Sequence, residues 1–233
     1  MNIIVEALKN WILGLRINSK SLGGRSGHFT QEKDSNAFTG LLGPSVAILV
    51  GHSRSGDKGA SSWDSTESEW TYNNDIAKKT KRILKDYPIK VSVFNKYPGD
   101  TYSEAIRKLT EDLNTLNFDL VIELHFNSFA NNNASGYENL YWHSSSKAKQ
   151  AASVIQKTFK DLFPEQHKDR GVKPILYLNQ RGALMLKSTI APTVICEPFF
   201  GSNKSEWKFF KSLKGRNTLS KAYAKAITTF LGY

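Results

Sequence analysis

The sequence predicts an α/β fold: a single domain with a central mixed, largely parallel sheet flanked by helices, plus an N-terminal tail. Two observations carry that expectation. From residue 45 to the C-terminus, short apolar runs alternate with longer segments of helical spacing. Pro88 and Pro164 then stand where two of the helical segments must end. The division drawn on this basis is an N-terminal helix and linker, residues 1–44, and a domain of residues 45–233.

Within the tail, Ile3 to Leu15 has the spacing of a short amphipathic helix, with Glu6, Lys9 and Asn10 sharing one face. Such a segment packs on its own domain or on a partner, or lies on a membrane surface. Asn18 to Pro44 is rich in Ser, Gly, Asn and charge and reads as a linker. Val46 to Val50 is an apolar run closed by Gly51, as a buried strand should be. Glu69 to Tyr87 places Ile76, Ala77, Thr80, Ile83, Leu84 and Tyr87 at helical intervals before Pro88. Ile89 to Phe94 is the next strand and Ser103 to Leu116 the next helix. Leu120 to Phe126 and Gly136 to Trp142 read as strands, and Lys147 to Phe163 as a helix closed by Pro164. Thr193 to Cys196 is a last strand and Gly215 to Leu231 a terminal helix. No internal repeat is visible.

Composition narrows the function. A hydrophobic fraction of 39% supports a substantial core and excludes a disordered or fibrous chain. The single cysteine, Cys196, excludes an intramolecular disulfide and any cluster of thiolate metal ligands. A net charge of +11 calls for an anionic partner. Its lysines are spread along the whole chain, and no zinc-finger, RNP-type or basic-zipper pattern accompanies them. Anionic cell-wall polymers fit the charge as well as nucleic acid does, and charge alone does not decide between them; nucleic acid ranks last because it explains none of the chain's motifs. No stretch is long and apolar enough for a transmembrane segment, and residues 3–17 lack the basic start and the cleavage site of a signal peptide.

Working groups in open α/β sheets gather beyond the carboxyl ends of the strands. His52 follows one expected strand, His125 lies near the end of another, and Glu197 directly follows a third, while Glu69 opens a helix. Each has an ordinary structural explanation. His52 is a polar residue at a strand-to-loop junction. Thr66-x-x-Glu69 matches a helix capping box. His125 shares a strand face with Glu123 and Asn127, where a hydrogen-bonded histidine is unremarkable. Glu197 precedes Pro198-Phe199-Phe200, apolar bulk that raises a carboxylate pKa in catalytic and structural settings alike. Together the four supply two imidazoles and a carboxylate for a metal and one carboxylate for proton transfer, a recurring composition of catalytic zinc sites. Their linear spacing matches no standard zinc motif, so the fold must assemble them.

Six short motifs, in order, carry a resemblance. They are Val50-Gly51-His52 with Gly59-Ala60, Glu69-x-x-x-Asn73, Leu124-His125-Phe126-Asn127, Gly136-Tyr137-Glu138, Asp169-Arg170-Gly171-Val172, and Cys196-Glu197-Pro198-Phe199-Phe200-Gly201-Ser202-Asn203. In order and interval these resemble the zinc-dependent N-acetylmuramoyl-L-alanine amidases, the branch of bacterial cell-separation amidases and many phage lysins. The resemblance covers residues 45–233 and leaves the first 44 uncovered. It implies Zn2+ held by His52, Glu69 and His125, with Glu197 as the catalytic base. Glu123 departs from the family, whose members more often carry a small or hydroxyl residue there. Facing the same way as His125, it is a candidate to orient an imidazole or a buried structural partner, and Asn127 is the other candidate neighbour of the ligands.

The function implied is hydrolysis of the amide between N-acetylmuramic acid and L-alanine in peptidoglycan, by a phage-type lysin or an autolysin. Without a signal peptide, release from the cytoplasm through a holin-type pore to act on the cell wall is the expected route. Two other classes stay open at this point: a zinc metallopeptidase cutting peptide stems, and a non-catalytic wall-binding protein. Product analysis separates the first, and the intact set of four residues weighs against the second.

Overall fold

The computed structural model describes residues 43–233, so the helix and most of the linker expected before residue 45 lie outside the described residues. Six strands form one sheet in the order β2-β1-β3-β6-β4-β5. They are β1 (Ser45–Val50), β2 (Lys90–Phe94), β3 (Leu120–Leu124), β4 (Tyr137–Trp142), β5 (Asp169–Ile175) and β6 (Thr193–Glu197). All neighbours run parallel except β4, which is antiparallel to β6. The mixed, largely parallel sheet expected from the sequence is the one observed. β1, β3 and β6 are buried along both faces, which is why their sequences are near-continuous apolar runs.

The helices are α1 (Glu69–Ile83), α2 (Tyr102–Leu116), α3 (Ser146–Leu162), α4 (Ala183–Ser188), α5 (Lys204–Phe210) and α6 (Leu213–Leu231). Most start on a side chain that accepts a free backbone N–H: Ser68, Thr101, Ser145, Asn203 and Ser212. The capping box proposed for Glu69 does not form. Ser68 caps α1 instead, accepting from Thr71 N at 3.2 Å, while Thr66 turns to Asp64.

Apolar cores of unequal size pack on the two faces of the sheet. On one face α1, α3 and α6 pack against Val46, Ile48, Val50, Ile122, Leu124, Val194 and Cys196. Aromatic rings fill this core, with Phe199 stacked on Phe210 at 4.3 Å and Tyr72 edge-on to Phe199 and Trp207. Two of the polar tips there are satisfied: the Tyr72 hydroxyl donates to Phe210 O, and Trp207 Nε1 to Asp64. On the other face α2 and Met185 of α4 cover Ala47, Leu49 and Val121.

Three elements were not expected from the sequence. β5 has no alternation and contains Gly171 and Pro174, which an edge strand tolerates and a central one does not. α4 and α5 have 6 and 7 residues, too short for a helical period to show.

Candidate metal centre and catalytic cleft

Beyond the carboxyl ends of β1 and β3, His52, Glu69 and His125 come together. One donor atom from each lies within 4.8 Å of the others. His52 Nε2 is 3.3 Å from Glu69 Oε2, and His125 Nδ1 is 2.8 Å from Glu69 Oε1. The backbone makes this convergence specific. His52 holds the left-handed conformation, φ 58°, a state uncommon for a residue with a Cβ and concentrated at functional sites. A Cβ on Gly51 would lie 2.2 Å from the His125 ring, and one on Gly59 2.7 Å from both Glu69 Oε2 and His52 Cδ2. Only glycine leaves room for the three side chains at those two points.

The Glu69 carboxylate is fixed by main-chain donors as well. Ala60 N–H donates to Oε2 at 3.2 Å and Phe126 N–H to Oε1 at 3.1 Å. Burial pushes its pKa up, but hydrogen bonds with His125 and His52 outweigh that and hold it well below the carboxylate range. Burial likewise lowers the proton affinity of His125, yet Glu123 and Glu69 overcome it and raise its pKa well above the imidazole range. Carboxylates gathered around two imidazoles make a pocket that favours positive charge.

The donor set fits a divalent cation on a further count. Each imidazole uses one nitrogen toward Glu69 and turns the other to a carboxylate: His52 Nδ1 to Asp57 Oδ1 at 3.1 Å, and His125 Nε2 to Glu123 Oε1 at 3.4 Å. Metal-ligating histidines are oriented in this way. Glu123 thus meets His125 as the strand alternation required. Asp57 was not singled out in the sequence, because a loop position five residues after His52 obeys no period.

Glu197, the last residue of β6, is buried and faces the same cleft. Burial raises its pKa to about 7, against the lowering effect of His125 and Arg181. Oε1 lies 3.3 Å from Arg181 Nη2, while Oε2 is buried with no hydrogen-bond partner. Arg181 also donates to Asn127 Oδ1 at 3.2 Å and lies 3.7 Å from Glu138. Asn127 Nδ2 donates to Glu138, which Arg170 Nε also meets at 2.9 Å. Asn127 therefore belongs to the network that holds Arg181 beside Glu197, and has no hydrogen bond to His52, Glu69 or His125. Arg181 sits in a short loop whose turn residues reveal nothing of its target.

His52, Asp57, Glu69, Glu123, His125, Arg181 and Glu197 line a cleft of about 580 Å³. Part of its wall is apolar, from Ala105 and Ile106 of α2, Leu184 of α4, Leu140, Leu178 and Ile195, and part is polar, from Arg54, Tyr102, Asn179 and Gln180. Among the described residues, no helix is long and apolar enough to cross a membrane.

The N-acetylmuramoyl-L-alanine amidase family model matches residues 46–229. No curated protein sequence matches the chain. Among solved structures, the chain is similar to the catalytic domain of CwlV, an N-acetylmuramoyl-L-alanine amidase from Bacillus (Paenibacillus) polymyxa var. colistinus. The TM-score is 0.69 at 23% identity, over 81% of this chain and 98% of that one. It is similar to the CwlD amidase of Clostridioides difficile, described in complex with the GerS lipoprotein (TM-score 0.71, 21% identity, 81% and 98% covered). It is also similar to the catalytic domain of an endolysin targeting Clostridia difficile (TM-score 0.65, 25% identity, 80% and 97% covered).

Proposed function

The chain belongs to the N-acetylmuramoyl-L-alanine amidase family, and from that premise we propose that His52, Glu69 and His125 hold the zinc ion that serves its hydrolysis of peptidoglycan, with Glu197 as the general base. The observation that carries this assignment is the meeting of the three donors with a buried carboxylate in one cleft. Zinc held there would supply Lewis acidity, making a water nucleophilic near neutral pH and stabilising negative charge on the scissile carbonyl oxygen.

The chain's own residues do the rest. Asp57 and Glu123 fix the imidazole rings, and the Ala60 and Phe126 amides fix Glu69, so the donors are set before a cation arrives. Arg181 holds Glu197 by Oε1, while Oε2 is buried without a hydrogen-bond partner and is the oxygen left to take a proton. Glu197 takes the proton of the attacking water at Oε2 and returns it to the amide nitrogen as the bond to L-alanine breaks. Its raised pKa suits both halves of that shuttle near neutral pH.

The substrate sets the working place at the bacterial wall, and anionic wall polymers are the partners the charge favours. The likeness to an endolysin domain supports a lysin, and the likeness to CwlD supports a cellular amidase in equal measure. The division of the sequence into an N-terminal segment, residues 1–44, and a catalytic domain, residues 45–233, belongs to the same proposal. The deciding experiment is digestion of purified peptidoglycan by chelator-stripped and zinc-restored protein, with products read by mass spectrometry. Intact stem peptides beginning at L-alanine, lost on chelation and regained with zinc, are expected. Cleavage inside the stem would replace the assignment with a peptidase.

A further inference from the structure

The excess positive charge is not spread over the molecule as the linear sequence suggests. Residues 45–233 contain 27 Lys and Arg against 18 Asp and Glu. Helices α1, α3 and α6 hold twelve of those basic residues and three of the acidic ones. Everything else in the domain is balanced, fifteen against fifteen. The layer on the other face, α2 and α4, carries three of each. The whole net charge of the domain therefore sits on the one helical layer that packs on the large aromatic core.

The three acids of that layer are already engaged. Glu69 is in the metal centre, Asp75 pairs with Lys79 and Arg216, and Asp161 pairs with Lys157 at 2.7 Å. Helix α6, which packs against both α1 and α3, has no acidic residue at all. Its exposed Lys214, Lys221 and Lys225 fall seven and four residues apart, on one stripe. Solubility is served by interspersed charges, whereas a single-sign layer repels itself and creates a field that attracts an extended polyanion. Ten of the twelve cations are lysines, and Arg216 is occupied by Glu67 and Asp75. Lysine acts as a mobile point charge on phosphate, without the bidentate fork of arginine, so the layer suits diffuse contact with a repeating anion.

We propose that the α1–α6–α3 layer docks a phosphodiester-linked polymer of the bacterial wall and holds the enzyme on its insoluble substrate. The choice of partner rests on the amidase reading, which places this face among wall polymers. The helical wall of the cleft comes from α2 and α4, on the opposite face of the sheet, and the docking layer reaches it only at Glu69, the first residue of α1, so docking leaves it open to the glycan.

The test uses the full chain with Lys214, Lys221 and Lys225 changed together to Gln. A control of equal charge loss has Arg107, Lys108 and Lys187 of the other layer changed to Gln. Co-sedimentation with insoluble walls is measured against salt, before and after chemical removal of the phosphate polymer, alongside turnover of a soluble muramoyl-peptide. The α6 variant should lose most wall binding, and its log–log salt slope should fall by about two, as three phosphate contacts on a flexible chain imply. The control should bind as the wild type does, stripped walls should retain little of any protein, and all three should turn over the soluble substrate equally. Equal loss in both variants would overturn the proposal in favour of net charge. Undiminished binding to stripped walls would overturn it in favour of glycan recognition. Stronger retention on duplex DNA or on anionic lipid vesicles than on walls would assign the face to those partners instead. Failure of the wild type on soluble substrate would count against the amidase reading alone, because sedimentation is scored independently of turnover.

Discussion

The two faces of the sheet share the same strands and differ in almost everything else. Along β3, Ile122 and Leu124 point into the aromatic core under α1, α3 and α6, while Val121, Glu123 and then His125 point toward α2 and the cleft. The thick face is closed by rings packed from Tyr72 to Phe210, with the Tyr72 hydroxyl and the Trp207 indole N–H bonded. The thin face carries buried carboxylates at Glu123 and Glu197. Buried charge is costly, so it persists where a cation or a proton relay uses it. The contrast teaches a division of labour: one face supplies rigidity, and the other spends part of that stability on chemistry.

The sharpest way to break this comparison is at the metal. His125→Ala should take bound zinc from stoichiometric to near none, read by elemental analysis, with activity lost in parallel. Glu197→Gln should retain the metal and lower kcat by about 10²–10⁴. Full activity in that variant would remove Glu197 from the reaction. On the thick face, Trp207→Ala should cost about 3–5 kcal/mol of stability in a urea titration, because it empties a packed site and strips Asp64 of a donor. A cost no larger than that of a surface substitution would show that this face does not carry the rigidity assigned to it.

Smaller effects sharpen the picture. Asp57→Ala should weaken metal affinity by about 10–100-fold without changing ligand identity. In the pH profile, kcat/KM should rise with pH on an acidic limb set by Glu197, since only its ionised form accepts a proton. Burial places that pKa at about 7, and a bound cation lowers it, so the limb should lie at or below about 7. Arg181→Gln removes a positive charge beside Oε1, and the limb should move to higher pH. A limb that stays put would mean Arg181 acts only on position. The smallest effect concerns the loop before α1. Asp64 accepts from Trp207 and Lys211, and its pKa is held below the carboxylate range, chiefly by Lys211. Its stabilisation is present above the unfolded carboxylate pKa and is lost as pH falls through the folded one. The stability lead of wild type over Asp64→Asn should therefore shrink in acid.

Much of the fold was legible because burial on both faces leaves a local mark. Val46 to Val50 and Thr193 to Cys196 are strands on inspection, and Pro88 and Pro164 end helical segments wherever the chain goes. The face shared by Glu123 and His125 followed from the two-residue period of a strand. Glu69 was ambiguous, since a capping glutamate and a ligand glutamate occupy the same first turn. The 2.8 Å contact with His125, 56 residues away, exists only once β1 and β3 are paired. Asp57 and Arg181 left no pattern because loop positions are tied to function by distance and not by period. The charge shows the same limit: evenly spread lysines become a one-sided layer only when three separate helices pack on one face of the sheet. Sequence alone determined the residue types, the strand and helix periods, and the family-like order of motifs. Tertiary structure decided which carboxylate meets which imidazole and which face carries the charge, because both depend on atoms brought within a few ångströms by strand pairing and helix packing.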